Sequence, residues 1–483
     1  MRKNWKFASA ILLLCTVFTG VSCNNSPEPS PPNPGETLDL GDGSNGYEIS
    51  ADLTLRYPNT YHLKGFVYVV AGATLTIEPG VIVKGDRESK GTLIIERGGR
   101  IIAEGTKEKP IVFTSSQAPG SRKAGDWGGL ILLGNAPNNM GEQTIEGGVR
   151  SKHGGMNVND DSGILSYVRV EFAGIEYSTD NEINGITLGS VGAGTQIDHI
   201  QVSHSGDDSF EWFGGTANAK YLIAFRGWDD DFDTDNGFSG KVQFAIALRD
   251  PEVGDKSASN GFESDNNANA SATEPYTSAV FANVSLFGPV ADPNAYTDRA
   301  GVHGSASGEP RFQAGLHLRR NTQLSIFNSL VAAFPIGLII ENDKQSTTQT
   351  WATEGKLNVT NCVIAGTVKD FQDKQYWTGG TQFDPSENAG AFVEGYFNRT
   401  GGGNRTCATI ADLKLSGNPL SLTNPIVFPN TDSPLASGAV WTDAKVASGF
   451  ENVGYIGAFA PTETVDNNWT NGWTNFDPQN TVY

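Results

Sequence analysis

From Phe66 onward the chain alternates short apolar runs with polar breaks, many of them glycine-centred. The first are FVYVV (66–70), TLTIEPG (74–80), VIVKG (81–85), TLIIERGG (92–99), RIIAEGT (100–106) and PIVFTSS (110–116). Apolar positions recur every second residue or run continuously over four to six residues, with no helical spacing, which predicts short strands. The runs are too short to be separate hairpin arms, and Asn-Gly turns are absent from this stretch. A coil of short strands with glycine corners accounts for both features.

The middle of the chain makes the repeat measurable. Aligning residues 197–215, 220–240 and 242–250 places Ile200, Ile223 and Ile246 at intervals of 23 and stacks Val202, Phe225 and Leu248. Phe213, Phe238 and Phe262 follow at intervals of 25 and 24. Two apolar ladders are what successive rungs of a parallel β-helix present to a narrow interior. Later rungs are read at 278–288, 322–334 with 337–343, and 357–367. A propeller needs blades of about 40–50 residues and a sandwich needs hairpins about every 8–12, so neither suits. About 12–14 rungs at ~4.8 Å would make a rod of about 60 Å. Polar inserts at 117–162, 251–276, 289–316 and 373–405 are expected to project from one side and carry binding. A C-terminal cap over about 440–483, with Trp469 and Trp473, is expected to cover the edge of the last rung.

Composition agrees with this all-β reading: 58 Gly, 3 Met and 18% charged residues. The N-terminus adds a destination. Arg2, Lys3 and Lys6 precede an apolar run at 8–18, and Gly20-Val21-Ser22 leads into Cys23. Residues 1–22 therefore read as an export signal, too short to remain as a membrane span. The small residues before Cys23 resemble a bacterial lipobox, which implies lipidation of Cys23 and anchoring in a bilayer. Residues 23–47 then form the lipidated, Pro-rich tether, and 48–483 a single β-helix domain with its cap. Asn24 after the Cys favours the outer membrane, with the cell surface as the expected face. From Cys23 onward the net charge is −23, which repels phosphate backbones and excludes nucleic acid as the expected partner. Cations, neutral polymers and proteins remain. Only Cys362 and Cys407 stay in the folded part, where export permits a disulfide and two buried thiols fit equally well.

Reactive side chains concentrate between residues 207 and 235: Asp207, Asp208, Glu211, Asp229, Asp230, Asp231, Asp233 and Asp235. A 23-residue register would bring Asp207 over Asp230 and Asp208 over Asp231. So many carboxylates repel unless they are hydrated, partly protonated or neutralised by a cation. Asp231, Asp233 and Asp235 followed by Asn236-Gly237 open like a Ca²⁺ loop, but position twelve is Val242 rather than Glu. A calcium site would then combine Asp207, Asp208, Glu211, Asp231, Asp233 and Asp235; solvated corner acids are the plain alternative. If the cluster is catalytic, Asp207, Asp208, Asp230 and Asp231 are the candidate acids and bases, with His204 as proton donor and Arg226 as a substrate-binding cation. The Gly-His-Gly element of pectin-hydrolysing enzymes is absent. Trp212, Trp228, Trp351, Trp377, Trp469 and Trp473 could stack on sugars or anchor loops.

The runs GDWGGLILLGNAP (125–137), SYVRVEFAG (166–174), the long segment 183–251 and WTNGWTNFDP (469–478) resemble a family of secreted bacterial lipoproteins of Bacteroidota-type and leptospiral outer membranes. The resemblance implies a right-handed parallel β-helix of the pectate-lyase-like superfold, outer-membrane anchoring and, in some members, association with TonB-dependent uptake systems. It implies no reaction. Two functions are therefore carried forward. One is a lipid-anchored scaffold that binds a ligand, a glycan or a membrane transporter. The other is a polysaccharide lyase or glycoside hydrolase using the acids of 207–235.

Overall fold

The structure is a computed structural model that describes residues 35–179, 181–255, 257–296, 312–375, 377–378, 381–382 and 390–483. The signal and Cys23 lie outside the described residues. Two parallel sheets wind into a right-handed β-helix, a narrow one of 11 strands and a wide one of 17. Among the described residues one ladder of the wide sheet runs without a break from Thr37–Leu40 to Arg405–Cys407, and its twelve levels at ~4.8 Å make a rod of about 55 Å, at the lower end of the repeat arithmetic. The first coil starts inside the expected tether, because Thr37–Leu40 pairs in parallel with Thr60–Leu63.

In the early coils each turn gives the wide sheet two short strands, such as Arg100–Glu104 and Ile111–Ser115. From Gly163–Glu171 to Val280–Phe287 these fuse into single bent strands. The bend falls on one left-handed residue per coil: Tyr167, His199, Tyr221, Phe244 and Asn283, with Asn328 and Asn361 continuing the series, all at φ between 51° and 61°. A left-handed non-glycine residue costs about 1–2 kcal/mol. Here the corner side chains stack: Tyr167 on His199 at 4.2 Å, His199 on Tyr221 at 4.5 Å and Tyr221 on Phe244 at 5.3 Å. Farther along, the Asn361 amide donates to Asn328 Oδ1 at 2.7 Å.

The register corrects the expected ladders. Ile200 lies beside Leu222, and Ile223 beside Ile246, so the first step is 22 residues and the second 23. Ile200 and Leu222 face the interior. Ile223, Phe225, Ile246 and Leu248 face outward and are buried under the C-terminal segment. In the narrow sheet Phe213 points out beside Asp235, and the inward ladder is Phe210, Phe232, Phe262 and Leu316. Three expected inserts also contain core strands: Leu130–Leu133, Phe262–Ser264 and the start of Ala314–Leu318. Within 373–405 the helix Ala391–Phe397 buries Val393, Tyr396 and Phe397 in the interior cluster and packs on the last narrow-sheet strand.

The C-terminal segment covers a flank rather than the final edge. It runs back along the wide sheet, from Leu413 and Phe428 beside Val363 and Ala365 to Trp469 against Tyr221 and Trp473 against His199 and Tyr167. Amide side chains hold it as a backbone would. Gln201, Gln243 and Asn328 each donate to and accept from one strap residue, Asn475, Glu451 and Val440 respectively, at 2.7–3.1 Å. Cys362 is buried and Cys407 half-buried; both are free thiols, so the disulfide is not formed. Cys407 belongs to a short strand beside Val363–Ala365, while the Cys362 thiol donates to the Ile326 carbonyl at 3.5 Å.

A carboxylate-lined candidate site

The narrow sheet sets the site by alternation. In Phe210–Phe213 and Phe232–Asp235, phenylalanine and the residue two on point inward, which turns Glu211, Asp233 and Asp235 outward. Glu263 follows Phe262 in the next coil and lies beside Asp233. Phenylalanine followed by an acid at 210–211, 232–233 and 262–263 was the sequence signal for Glu263, which lies beyond the segment singled out above. The turn before each strand adds Asp207 and Asp208, then Asp229 and Asp230. Asp230 N–H donates to Asp208 Oδ1 at 2.7 Å, which fixes one turn on the next.

Three overlapping carboxylate groups result: Asp207, Asp208 and Asp229; Asp208, Glu211 and Asp233; Asp230, Asp233 and Glu263. Within each, one oxygen from every member lies within 4.8 Å of the others. Asp208 and Asp233 each belong to two groups. Asp208, Glu211 and Asp230 are 7%, 6% and 4% exposed. Asn184, 1% exposed, donates to Glu211, and its Oδ1 has no partner.

Burial first, and like-charged neighbours second, push Asp207, Asp208, Glu211, Asp229, Asp230 and Asp233 well above the usual carboxylate range. The same causes, opposed by the Asn236 N–H, push Asp235 up to about 8. One coil farther on the balance changes. Glu263 is buried too, but Arg319, His317 and Arg320 hold it down at about 2. Arg319 and Arg320 both bind Asp265, and His317 Nε2 meets Glu341 at 2.7 Å. The outer face thus passes from unneutralised acids to paired charges within a few coils.

Several expected site residues lie elsewhere. The 22-residue step groups Asp207 with Asp229 and sets Asp208 against Asp230, one position from the expected pairs. Asp231 turns inward, fully buried, and pairs with buried Arg249 at 2.9 Å. Burial pushes the Asp231 carboxyl to about 7 against the opposing pull of Arg249. Asp231 therefore stands apart from the three carboxylate groups and away from the surface. Arg226 binds Asp250, with Nε to Oδ2 at 2.8 Å, rather than the acidic rung. His204 is wedged between Phe172 at 5.0 Å and Phe225 at 5.8 Å, and burial holds it at about 3, so it has no proton to give at neutral pH. Trp212 faces the core, and Trp469 and Trp473 anchor the strap, so none of these is a sugar platform. The Trp377 side chain lies outside the described residues.

The spacing limits the chemistry. Retaining glycosidases hold two carboxyls about 5–5.5 Å apart and inverting ones about 6.5–9.5 Å. Here one oxygen of each member lies within 4.8 Å of the others, which suits a shared proton or a hard cation with oxygen ligands and borders on the retaining range. Among the described residues none of Asp207, Asp208, Glu211, Asp229 or Asp233 is ion-paired with a basic side chain.

Residues 47–411 match a family described as a pectate-lyase-like beta helix domain. No curated protein and no solved structure matches the chain.

Proposed function

The chain belongs to the pectate-lyase-like β-helix family, and on that premise we propose that it is a binding scaffold whose acidic face takes up calcium and, through it, a glycan. One observation carries the reading: Asp207, Asp208, Glu211, Asp229 and Asp233, linked through the shared Asp208 and Asp233, have no ion-paired basic side chain among the described residues, while Glu263 and Asp265 of the next coil are paired with Arg319 and Arg320. Calcium bound there would leave coordination positions for sugar hydroxyl or carboxylate oxygens. In the same proposal the scaffold is anchored by lipid on an outer membrane, a reading supported by the export signal and Cys23, and hands its ligand to a TonB-dependent transporter.

A second reading has its own support. Carboxyls held protonated near neutral pH are the general acids of glycoside chemistry, and Asp235 at about 8 is of that kind. One experiment separates the two. The folded chain is incubated with acidic and neutral polysaccharides, with and without Ca²⁺, and both retention and new reducing or unsaturated ends are scored. Ca²⁺-dependent retention without product is expected. Product formation abolished by Asp208→Asn would replace the scaffold by an enzyme. Absence of Ca²⁺ binding by calorimetry, at millimolar Ca²⁺ and pH 8, would remove the cation from the account.

A further inference from the structure

Arg249 carries chemistry that neither function assigned to it. It is 2% exposed, and every one of its five N–H donors has an acceptor. Nε donates to Asp231 Oδ2 at 2.9 Å. Nη1 donates to the carbonyls of Gly227 at 3.2 Å and Trp228 at 3.4 Å. Nη2 donates to the carbonyls of Asp229 and Asn260, the latter at 2.5 Å. The guanidinium thus takes three successive carbonyls of the turn that carries Asp229 and Asp230, and one from the turn beneath. Asn260 closes the arrangement: its backbone N–H at 2.5 Å and its Nδ2 at 3.1 Å both donate to Asp230 Oδ1.

Resting on the cation-site reading, we propose that Arg249 is the positioning residue of that site. By drawing the carbonyls of 227–229 inward it fixes a turn packed with like charges, so that Asp229 and Asp230 stand preassembled against Asp207, Asp208 and Asp233. Only arginine fits the role. A lysine supplies three donors from one point and cannot reproduce the planar fork that spans Asp231 Oδ2 and the carbonyls of Gly227 and Asp229, which have no other donor among the described residues; the Trp228 and Asn260 carbonyls keep Ser259 Oγ and the Asp231 N–H. Asp231, which resembles a ligand in the sequence, serves as the anchor of this guanidinium. A preassembled site does not have to order its ligands when the cation arrives, and its affinity rises accordingly.

The test is Ca²⁺ calorimetry on the full chain at pH 8, with backbone amide exchange of residues 227–230 and a thermal melt in EDTA, for wild type, Arg249→Lys, Asp231→Asn and Arg56→Lys. Arg249→Lys is expected to lower Ca²⁺ affinity at least tenfold and to speed exchange at 227–230, with exchange in the outlying coils unchanged. Should it fail to fold, Asp231→Asn, which keeps every carboxylate of the three groups, gives the answer through a several-fold loss. Arg56→Lys, in the first coils and paired with exposed Glu78, should bind as wild type. Wild-type affinity in a folded Arg249→Lys or Asp231→Asn overturns the role of Arg249 and leaves the cation site standing. If wild type binds no Ca²⁺ the cation reading falls, and the positioning role falls with it.

Discussion

Asp233 shows how one side chain can report on the whole acidic face. It belongs to two of the three carboxylate groups, and burial with acidic neighbours raises its ionisation well above the ordinary range. Between the unfolded carboxylate value of about 4 and the raised folded value, the native state holds more protons than the unfolded one, so stability falls as pH rises. For Asp235 that window closes at about 8. In EDTA the melting temperature should therefore drop from pH 5 to pH 8, and millimolar Ca²⁺ at pH 8 should restore it; a flat profile in EDTA would contradict the raised values. Asp233→Asn should raise the cation-free melting temperature at pH 8 by about 1–3 °C, by removing a repelled charge, and blunt the response to Ca²⁺. A stabilised mutant that has lost its ligand response separates a site from mere solvated acids. At this scale the sequence told most. Of the six expected calcium ligands, Asp207, Asp208, Glu211 and Asp233 fall in the carboxylate groups, divided between two that share Asp208, while Asp231 and Asp235 fall in none. Asp231 differs from Asp233 and Asp235 because it precedes the strand Phe232–Asp235 and so escapes the alternation that turns those two outward, a boundary that a D-x-D-x-D pattern does not mark.

At the level of elements, the strand runs and the coil were legible because their apolar pattern has no competing helical reading. The register was not. A step of 22 residues followed by one of 23 moves every side chain by one position, and apolar residues on both faces of the wide sheet give no parity to count. The outer face is apolar because the strap covers it, and the strap has no periodicity to announce itself. Its anchors are testable. Trp473 is 1% exposed and meets two corner rings, so Trp473→Ala should cost about 3–5 kcal/mol in chemical denaturation. Gln243→Ala frees the N–H and the carbonyl of Glu451 together and should cost about 1–3 kcal/mol. A loss near zero for both would mean that the strap adheres without contributing to the fold.

Across the whole molecule, a coiled rod is ordinarily a chain of neighbours, in which each turn touches only the next and the ends fray independently. The strap changes that connectivity. Arg122 reaches the Pro478 carbonyl, Lys84 the Tyr483 carbonyl, and Tyr483 Oη donates to Glu171 at 2.6 Å, joining positions 312–399 residues apart. A variant lacking residues 436–483 should expose the outer row Ile223, Ile246 and Leu330, and self-associate in light scattering where the full chain does not. The full chain should unfold in a single transition, with amide exchange in the coils of Gly163–Glu171 and Val280–Phe287 collapsing together; without the strap the two should part. In polymer terms, the return strand is a long-range crosslink without a covalent bond, and it turns a one-dimensional stack into a closed circuit. The same circuit sets an order of assembly: the strap can lock only after coils hundreds of residues upstream have formed, so its closure is a late, high-contact-order step that delays refolding and thereafter slows unfolding.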